Sequence, residues 1–269
     1  MRNKTRLMGI LNVTPDSFSD GGLFFNHEKA VDCGIKLEDD GADIIDIGGE
    51  STRPGAASVP FKEEVSRVIP VIEALARRVK IPISVDTYKS GVARLAIEAG
   101  ASIVNDVSAL RFDTEMVHVV SKHHVPVVLM HMLGNPGNMQ VNPVYDDVVT
   151  EVSNFLKERI EYATDNGICK DDIIVDPGIG FGKSIAHNLL LIKHLDIFKN
   201  LGCRLLIGPS RKSFIGSVLD QPVDGRLEGT AAVVAVAILK GADIIRVHDV
   251  KEMRQIAKMV DAIEGYEFH

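Results

Sequence analysis

The chain has 269 residues, of which 45% are hydrophobic and 25% are charged, so one large domain or two small ones could bury a sizeable core. Its formal net charge of -7 at pH 7 argues against a nucleic-acid-binding protein, because neutralising phosphates requires a basic surface. The same charge does not exclude a small anionic substrate, which needs only a local basic pocket.

Apolar runs of the β type alternate with helical stretches along the whole chain. Several runs are almost continuous in Ile, Val and Leu, as expected for parallel strands covered on both faces. The predicted strands span 6–12, 43–49, 81–87, 102–108, 125–131, 172–178, 203–209 and 243–249. The predicted helices span 27–39, 62–79, 88–99, 114–123, 145–166, 186–200, 226–240 and 251–263.

This alternation predicts an α/β fold, a single (β/α)8 TIM barrel that occupies residues 1–269 as one domain. An open doubly wound sheet is the alternative, and the strand count and the lack of a Gly-rich fingerprint after the first strand disfavour it. A short echo supports the count, because GADII at 41–45 and 241–245 and GASIV at 100–104 each place Gly after a predicted helix. Convergent turn chemistry and ancient duplication explain this echo about equally well.

Nearly every predicted strand delivers a polar residue to its carboxyl end, where the active sites of such barrels lie. Any one of them could be a helix cap or a turn residue. Four of them, however, lie inside apolar runs, where a buried polar group must be paired or functional. We expect the carboxylates and amides of the third, fourth and sixth strands to bind an NH-rich heterocycle and the cations of the last two strands to bind an anion. The residues are Asn12, Asp46, Asp86, Asn105, Asp106, His131, Asp176, Ser210, Arg211, Lys212, Arg246 and His248.

Two motifs invite other interpretations. PGIGFGKS at 177–184 resembles a P-loop, but Pro177 stands where the first Gly should be, so we interpret it as a sharp turn that presents Asp176 and Phe181. The pair His123 and His124 precedes a predicted strand, on the opposite rim, and is more typical of a solvated helix end than of a metal site.

The cysteines and the N-terminus bear on the compartment. Cys33, Cys169 and Cys203 are scattered and odd in number, without metal-type spacing, which favours a reduced cytoplasmic environment. The first apolar segment is too short for a signal peptide, and no apolar run reaches membrane-spanning length. We therefore expect a cytoplasmic protein.

Seven segments, in order and across essentially the whole chain, resemble the dihydropteroate synthase family. They are ILNVTPDSFSDGG (10–22), DIGGESTRPG (46–55), SVDTYKS (84–90), NDVSA (105–109), DPGIGFGK (176–183), GPSRKSFIG (208–216) and RVHDV (246–250). The resemblance implies a folate-biosynthesis enzyme that joins 7,8-dihydropterin-6-ylmethyl diphosphate to p-aminobenzoate and releases pyrophosphate. It also implies a homodimer that works with Mg²⁺ and is a target of sulfonamide inhibitors.

The resemblance further implies roles for particular residues. Asp86, Asn105 and Asp176 are similar to the family's pterin-binding set, and Lys212 to the lysine that contacts the pterin. Asn12 resembles the amide that coordinates magnesium.

The other matches concern the diphosphate and the second substrate. Arg246 and His248 resemble the diphosphate anchors. The matches to the p-aminobenzoate end and to the two mobile loops are Phe18, Thr52, Arg53, Pro54 and Ser213.

We expect an SN1-like substitution, in which the carboxylates stabilise positive charge on the pterin and no covalent enzyme intermediate forms. Three alternatives stay open at this point. One is an aldolase-type barrel that forms a Schiff base on Lys212, although a lysine beyond the strand end is not expected to have lowered basicity. The others are a pterin-dependent methyltransferase of the same superfamily and a non-catalytic pterin-binding paralogue.

Overall fold

The computed structural model describes residues 4–14, 23–51, 56 and 58–265, without the side chains of 23–26. Its centre is a closed barrel of eight parallel strands, each hydrogen-bonded to the next in chain order, with the last pairing with the first. The strands are β1 Arg6–Asn12, β2 Ile44–Gly48, β3 Ile83–Asp86, β4 Ile103–Asp106, β5 Val127–Met130, β6 Ile173–Asp176, β7 Arg204–Ile207 and β8 Ile244–Val247. The predicted TIM barrel is confirmed.

Helices follow the strands and cover the outside of the barrel. They are α1 Leu23–Asp39, α2 Phe61–Ala76, α3 Ser90–Glu98, α4 Met116–His123, α5 Val148–Asp165, α6 Ile185–Lys193, α7 Ser213–Leu219, α8 Leu227–Leu239 and α9 Val250–Ile263. Helix α7 was not predicted, because seven residues are too few to show a helical period. The stretch 186–200, predicted as one helix, divides into α6 and the 3-10 segment Leu195–Leu201.

Prolines explain why two strands begin later than predicted. The runs 81–87 and 125–131 include Pro82 and Pro126, which have no N–H to donate to a ladder. Accordingly β3 begins at Ile83 and β5 at Val127.

The barrel interior is built in layers, because side chains two residues apart on a strand face the same side. Seven strands contribute to a closed apolar layer. Two residues further along β2, β4, β6 and β8 the same inward face carries a carboxylate, an amide or a guanidinium instead. The apolar members are Met8, Ile44, Ile103, Val128, Ile174, Leu206 and Ile244. Polar chemistry is therefore stacked on an apolar floor, at the carboxyl end of the barrel.

Glycines make the turns that the echo predicted. Gly41, Gly100 and Gly241 have φ angles of 99°, 118° and 103° and each follows a helix by two residues. This conformation is strained for any residue with a Cβ atom.

The turn after β6 also depends on glycine, and it generates a stability prediction. Gly178 has φ 69°, and a Cβ added there would collide with the carbonyl oxygen of His131. We expect Gly178→Ala to lower the free energy of unfolding by about 2–4 kcal/mol, from left-handed strain together with overpacking. Gly265→Ala is the control, since φ is 87° and nothing lies within 4 Å of its added Cβ, so only the strain of about 1 kcal/mol applies. Urea denaturation would measure both, and equal losses would contradict the steric argument.

Candidate active site

The inward polar residues meet across the barrel interior. Asn105 on β4 donates from Nδ2 to Oδ2 of Asp46 on β2 at 2.9 Å, although β3 separates these strands. Arg246 on β8 donates from Nε to the same oxygen at 2.6 Å and from Nη2 to Oδ2 of Asp86 on β3 at 2.7 Å. Four strands thus contribute to one hydrogen-bonded network, in which the carboxylates and the amide are buried.

The network leaves acceptors without partners. Within the described part of the chain, Oδ1 of Asp46, Oδ1 of Asp86 and Oγ of Ser84 are buried and have no hydrogen-bond partner. A buried polar atom without a partner is unfavourable, and a water, an ion or a ligand can complete its hydrogen bonding. Burial raises the pKa of Asp86 to about 7. The positive charge of Arg246 opposes this rise, and the negative charge of Asp46 adds to it.

Arg246 belongs to this carboxylate cluster and does not stand apart on an anion-binding side of the rim. Burial alone would lower the pKa of its guanidinium, but Asp46 and Asp86 raise it. Arg246 therefore lies among the carboxylates of the rim, and its expected role as a diphosphate anchor stays a prediction. Its two ion pairs could not be inferred from the order of strands alone.

Asp176 and Lys212 form a second charged group beside the first. Oδ1 of Asp176 accepts from the N–H of Gly178 at 2.7 Å. Burial raises the pKa of Asp176, and Lys212 opposes this rise. The ammonium of Lys212 donates to the carbonyl of Ile179 and lies 4.4 Å from the centroid of the Phe181 ring. The turn at 177–184 thus does present Asp176 and Phe181 next to Lys212.

The expectation that Lys212 keeps ordinary basicity is wrong. Burial lowers the pKa of Lys212 to about 8. The charge of Asp176 opposes this decrease, and the charge of Arg246 adds to it. The chain position of Lys212, beyond the end of β7, suggested a solvated amine. The residues after β6 approach it from the neighbouring segment, and this enclosure depends on tertiary structure.

Lys183 was missed by the sequence analysis. Its side chain is buried, and Nζ lies 2.9 Å from Nδ1 of His131 while donating to the carbonyl of Phe181 at 3.0 Å. Burial lowers the pKa of His131 to about 2 and lowers that of Lys183 well below its usual value. These contacts tie the turn after β6 to the end of β5. The only sequence signal was a lysine inside a glycine-rich run.

Three further predicted residues lie on the same rim. Asn12 is half-buried as the last residue of β1. His248 follows β8, with its Nδ1 2.9 Å from Oγ of Ser210. Ser213 is exposed at the start of α7, directly after Lys212. Four predicted residues lie outside the described part of the chain: Phe18, Thr52, Arg53 and Pro54.

The described residues contain no group of three or more His, Cys, Asp or Glu that could hold a metal ion. His124 ends α4 with φ 52°, as a helix C-cap. None of the helices that the structure describes is both long and apolar enough to cross a bilayer.

Comparison with known proteins gives consistent matches. A family model described as "Pterin binding enzyme" matches residues 8–248. The chain is 50% identical over 262 residues to the dihydropteroate synthase of Bacillus subtilis (strain 168), which covers 97% of this chain and 90% of that protein. A crystal structure of the Yersinia pestis dihydropteroate synthase with a sulfonamide drug complex superposes with a TM-score of 0.93 at 45% identity, covering 98% of this chain and 95% of that one. A structure of the Xanthomonas albilineans dihydropteroate synthase with 4-aminobenzoic acid gives 0.92 at 47% identity, with the same coverage of 98% and 95%.

Proposed function

The chain belongs to the dihydropteroate synthase family of pterin-binding enzymes, and from this we infer that it is a transferase of folate biosynthesis. The inferred reaction condenses 7,8-dihydropterin-6-ylmethyl diphosphate with p-aminobenzoate and yields 7,8-dihydropteroate and pyrophosphate. The supporting observation in the site is the buried network of Asp46, Asp86, Asn105 and Arg246, which holds an acceptor of Asp86 without a partner.

We propose that Asp86, Asn105, Asp176 and Lys212 bind the pterin. A pterin carries several N–H groups on one edge, and the carboxylates of Asp86 and Asp176 are buried acceptors at the ends of β3 and β6. Charge-assisted hydrogen bonds of this kind are strongest where water is excluded. The ring of Phe181 adds an apolar contact beside Lys212.

In the proposed mechanism the C–O bond to the diphosphate breaks first, and the methylene carbon becomes cation-like. Asp86 and Asp176 favour positive charge on the ring, while Arg246, His248 and Lys212 neutralise the departing pyrophosphate. The neutral amine of p-aminobenzoate then attacks the carbon, and the acidic anilinium that forms loses its proton to water or to the released pyrophosphate. Neither a strong base nor a covalent enzyme intermediate is therefore needed. The residues proposed for the p-aminobenzoate end are Phe18, Thr52, Arg53, Pro54 and Ser213.

We further propose that Asn12 holds Mg²⁺ together with oxygens of the diphosphate. An amide oxygen at the rim fits this ion, which prefers oxygen ligands and retains several waters, so few protein ligands are required. The ion would supply additional neutralisation of the leaving group.

The Schiff-base aldolase remains the second candidate, because the lowered pKa of Lys212 favours a reactive amine. Family membership argues against it.

We also propose that residues 1–269 form a single domain and that the protein is cytoplasmic. The three free cysteines are in line with this location. Fractionation of cells tests the location.

The proposed reaction can be tested by following the release of pyrophosphate. We expect pyrophosphate release from the dihydropterin diphosphate to require both p-aminobenzoate and Mg²⁺, and the expected product is 7,8-dihydropteroate by chromatography. Failure to form 7,8-dihydropteroate when both substrates and Mg²⁺ are present would contradict the proposed synthase. Borohydride trapping of a carbonyl substrate on Lys212 would support the aldolase instead.

Asp86→Asn should weaken pterin binding and turnover together. Loss of one charge-assisted hydrogen bond of about 1.5–3 kcal/mol corresponds to roughly 10- to 100-fold in kcat/KM for the pterin substrate. In the unchanged enzyme, ionised Asp86 is the acceptor, so pterin affinity should rise with pH through about 7 and then level off. This rise should be absent in the variant.

The matched control for this variant is Asp40→Asn, because Asp40 lies at the surface, paired with Lys36. It should leave both the affinity and the pH profile unchanged. Calorimetric titration with pteroic acid between pH 5.5 and 8 measures both. An Asp86→Asn enzyme with normal kinetics would show that the assigned role is wrong.

We propose that the chain forms a homodimer through two outer helices near its C-terminus, α8 and α9, which correspond to the predicted helices 226–240 and 251–263. Large apolar side chains are exposed on α8 and α9, among them Leu239, Met259 and Ile263. Light scattering should give twice the mass of one chain. Leu239→Lys should lower that mass at low concentration, whereas Val141→Lys, in the loop after β5, should not. A monomer at micromolar concentration would refute the dimer.

A further inference from the structure

The carboxylate of Asp46 lies at the junction of the site network but is fully inaccessible to solvent. Its Oδ2 accepts from Nδ2 of Asn105 at 2.9 Å and from Nε of Arg246 at 2.6 Å. None of the roles assigned above is carried by Asp46. A buried carboxylate without such partners would be strongly unfavourable, so its bonds to two site residues need an explanation.

Each bond fixes one orientation. Because Nδ2 of Asn105 is directed at Asp46, the amide presents its oxygen, an acceptor, to its other neighbours. Because Nε of Arg246 is held by Asp46 while Nη2 reaches Asp86, the guanidinium spans two carboxylates in one plane. An amide turned the other way would present a donor, which cannot accept from a pterin N–H.

We propose that Asp46 is a positioning residue for the pterin site, which sets the amide orientation of Asn105 and the guanidinium plane of Arg246 without touching the substrate. The inference rests on the proposed function, since it takes the pterin as the ligand. It predicts that the charge of Asp46 affects the pH at which pteroic acid affinity rises, and that the position of its carboxylate affects the strength of pteroic acid binding.

The charge acts through Asp86. The charged groups that face Asp86 are Arg246 from β8, Asp46 from β2, Glu64 from α2 and Asp106 from β4. Among these, Asp46 is the largest of the negative neighbours that disfavour ionisation of Asp86. Removing its charge also leaves Asp86 as the ionised carboxylate to which Arg246 is hydrogen-bonded. Both effects favour the ionised form of Asp86.

Asp46→Asn keeps the shape of the side chain and removes the charge. We expect the pH at which pteroic acid affinity rises to move down by roughly one unit, because Asp86 ionises more readily. Above this pH we expect the variant to bind pteroic acid about 10-fold more weakly than the unchanged protein, because a neutral amide oxygen accepts from Asn105 and Arg246 less strongly than a carboxylate. The KM for p-aminobenzoate should change less than 2-fold. Calorimetry from pH 5 to 8 and steady-state kinetics measure these quantities.

Asp46→Glu keeps the charge and displaces the carboxylate by one methylene. We expect it to leave the pH of the affinity rise unchanged while still weakening pteroic acid binding. The control is Asp261→Asn, which replaces another buried aspartate that bonds Thr5 on the far side of the barrel. It should lower thermal stability with no change in either observable.

The outcomes separate the two proposals. If the unchanged protein forms no dihydropteroate, the proposed function fails. If it is active but Asp46→Asn and Asp46→Glu bind pteroic acid like the unchanged protein, only the positioning role fails. A uniform loss in affinity for both substrates, with the pH of the rise unmoved in Asp46→Asn, would indicate a merely structural role and would also overturn the inference. If Asp46→Asn does not fold, the Asp46→Glu titration decides alone, and unweakened binding refutes the role.

Discussion

The structure depends on burying several charges at one end of the barrel. Taking a carboxylate out of water is costly unless an opposite charge or a set of donors compensates it. Here Asp46, Asp86 and Asp176 are buried, and Arg246 and Lys212 lie among them. The compensation is incomplete, since one oxygen each of Asp46 and Asp86 lacks a partner within the described chain. A ligand that offers N–H donors would complete this compensation.

The barrel makes this arrangement possible by separating two tasks along each strand. The layer formed by residues such as Ile44, Ile174 and Ile244 closes the interior with apolar side chains. The inward positions two residues later can then carry charge, because the layer below and the surrounding helices already contribute the hydrophobic stabilisation. Short strands suffice for this purpose, since four residues supply two positions on the inward face. Stability and chemistry are thus assigned to different levels of one cylinder.

The periodicity of the sequence was enough to predict the strand order, the barrel and the rim on which the polar residues meet. It could not predict which polar side chains bond each other, because Asp46 and Arg246 are 200 positions apart and lie on strands that are not neighbours. It also could not predict the lowered pKa of Lys212 or the buried contacts of Lys183. Both follow from how the turn after β6 is placed against other segments. Sequence periodicity predicts on which face of a strand or helix a side chain lies. The interactions between charges, and hence their pKa values, depend on distances that tertiary packing sets.

The same electrostatics links the site to its reactivity. Burial raises the pKa of Asp86 to about 7 and lowers that of Lys212 to about 8, so both values lie close to neutral pH. Each shift reports that the charged form is disfavoured by burial, and a ligand that donates to Asp86 or accepts from Lys212 relieves that penalty. In the proposed mechanism the pterin ring gains positive charge beside the carboxylates while the diphosphate departs beside the cations, so these side chains interact more favourably with the transition state than with the bound substrate. A difference of this kind is what catalysis without a strong base or a covalent intermediate requires.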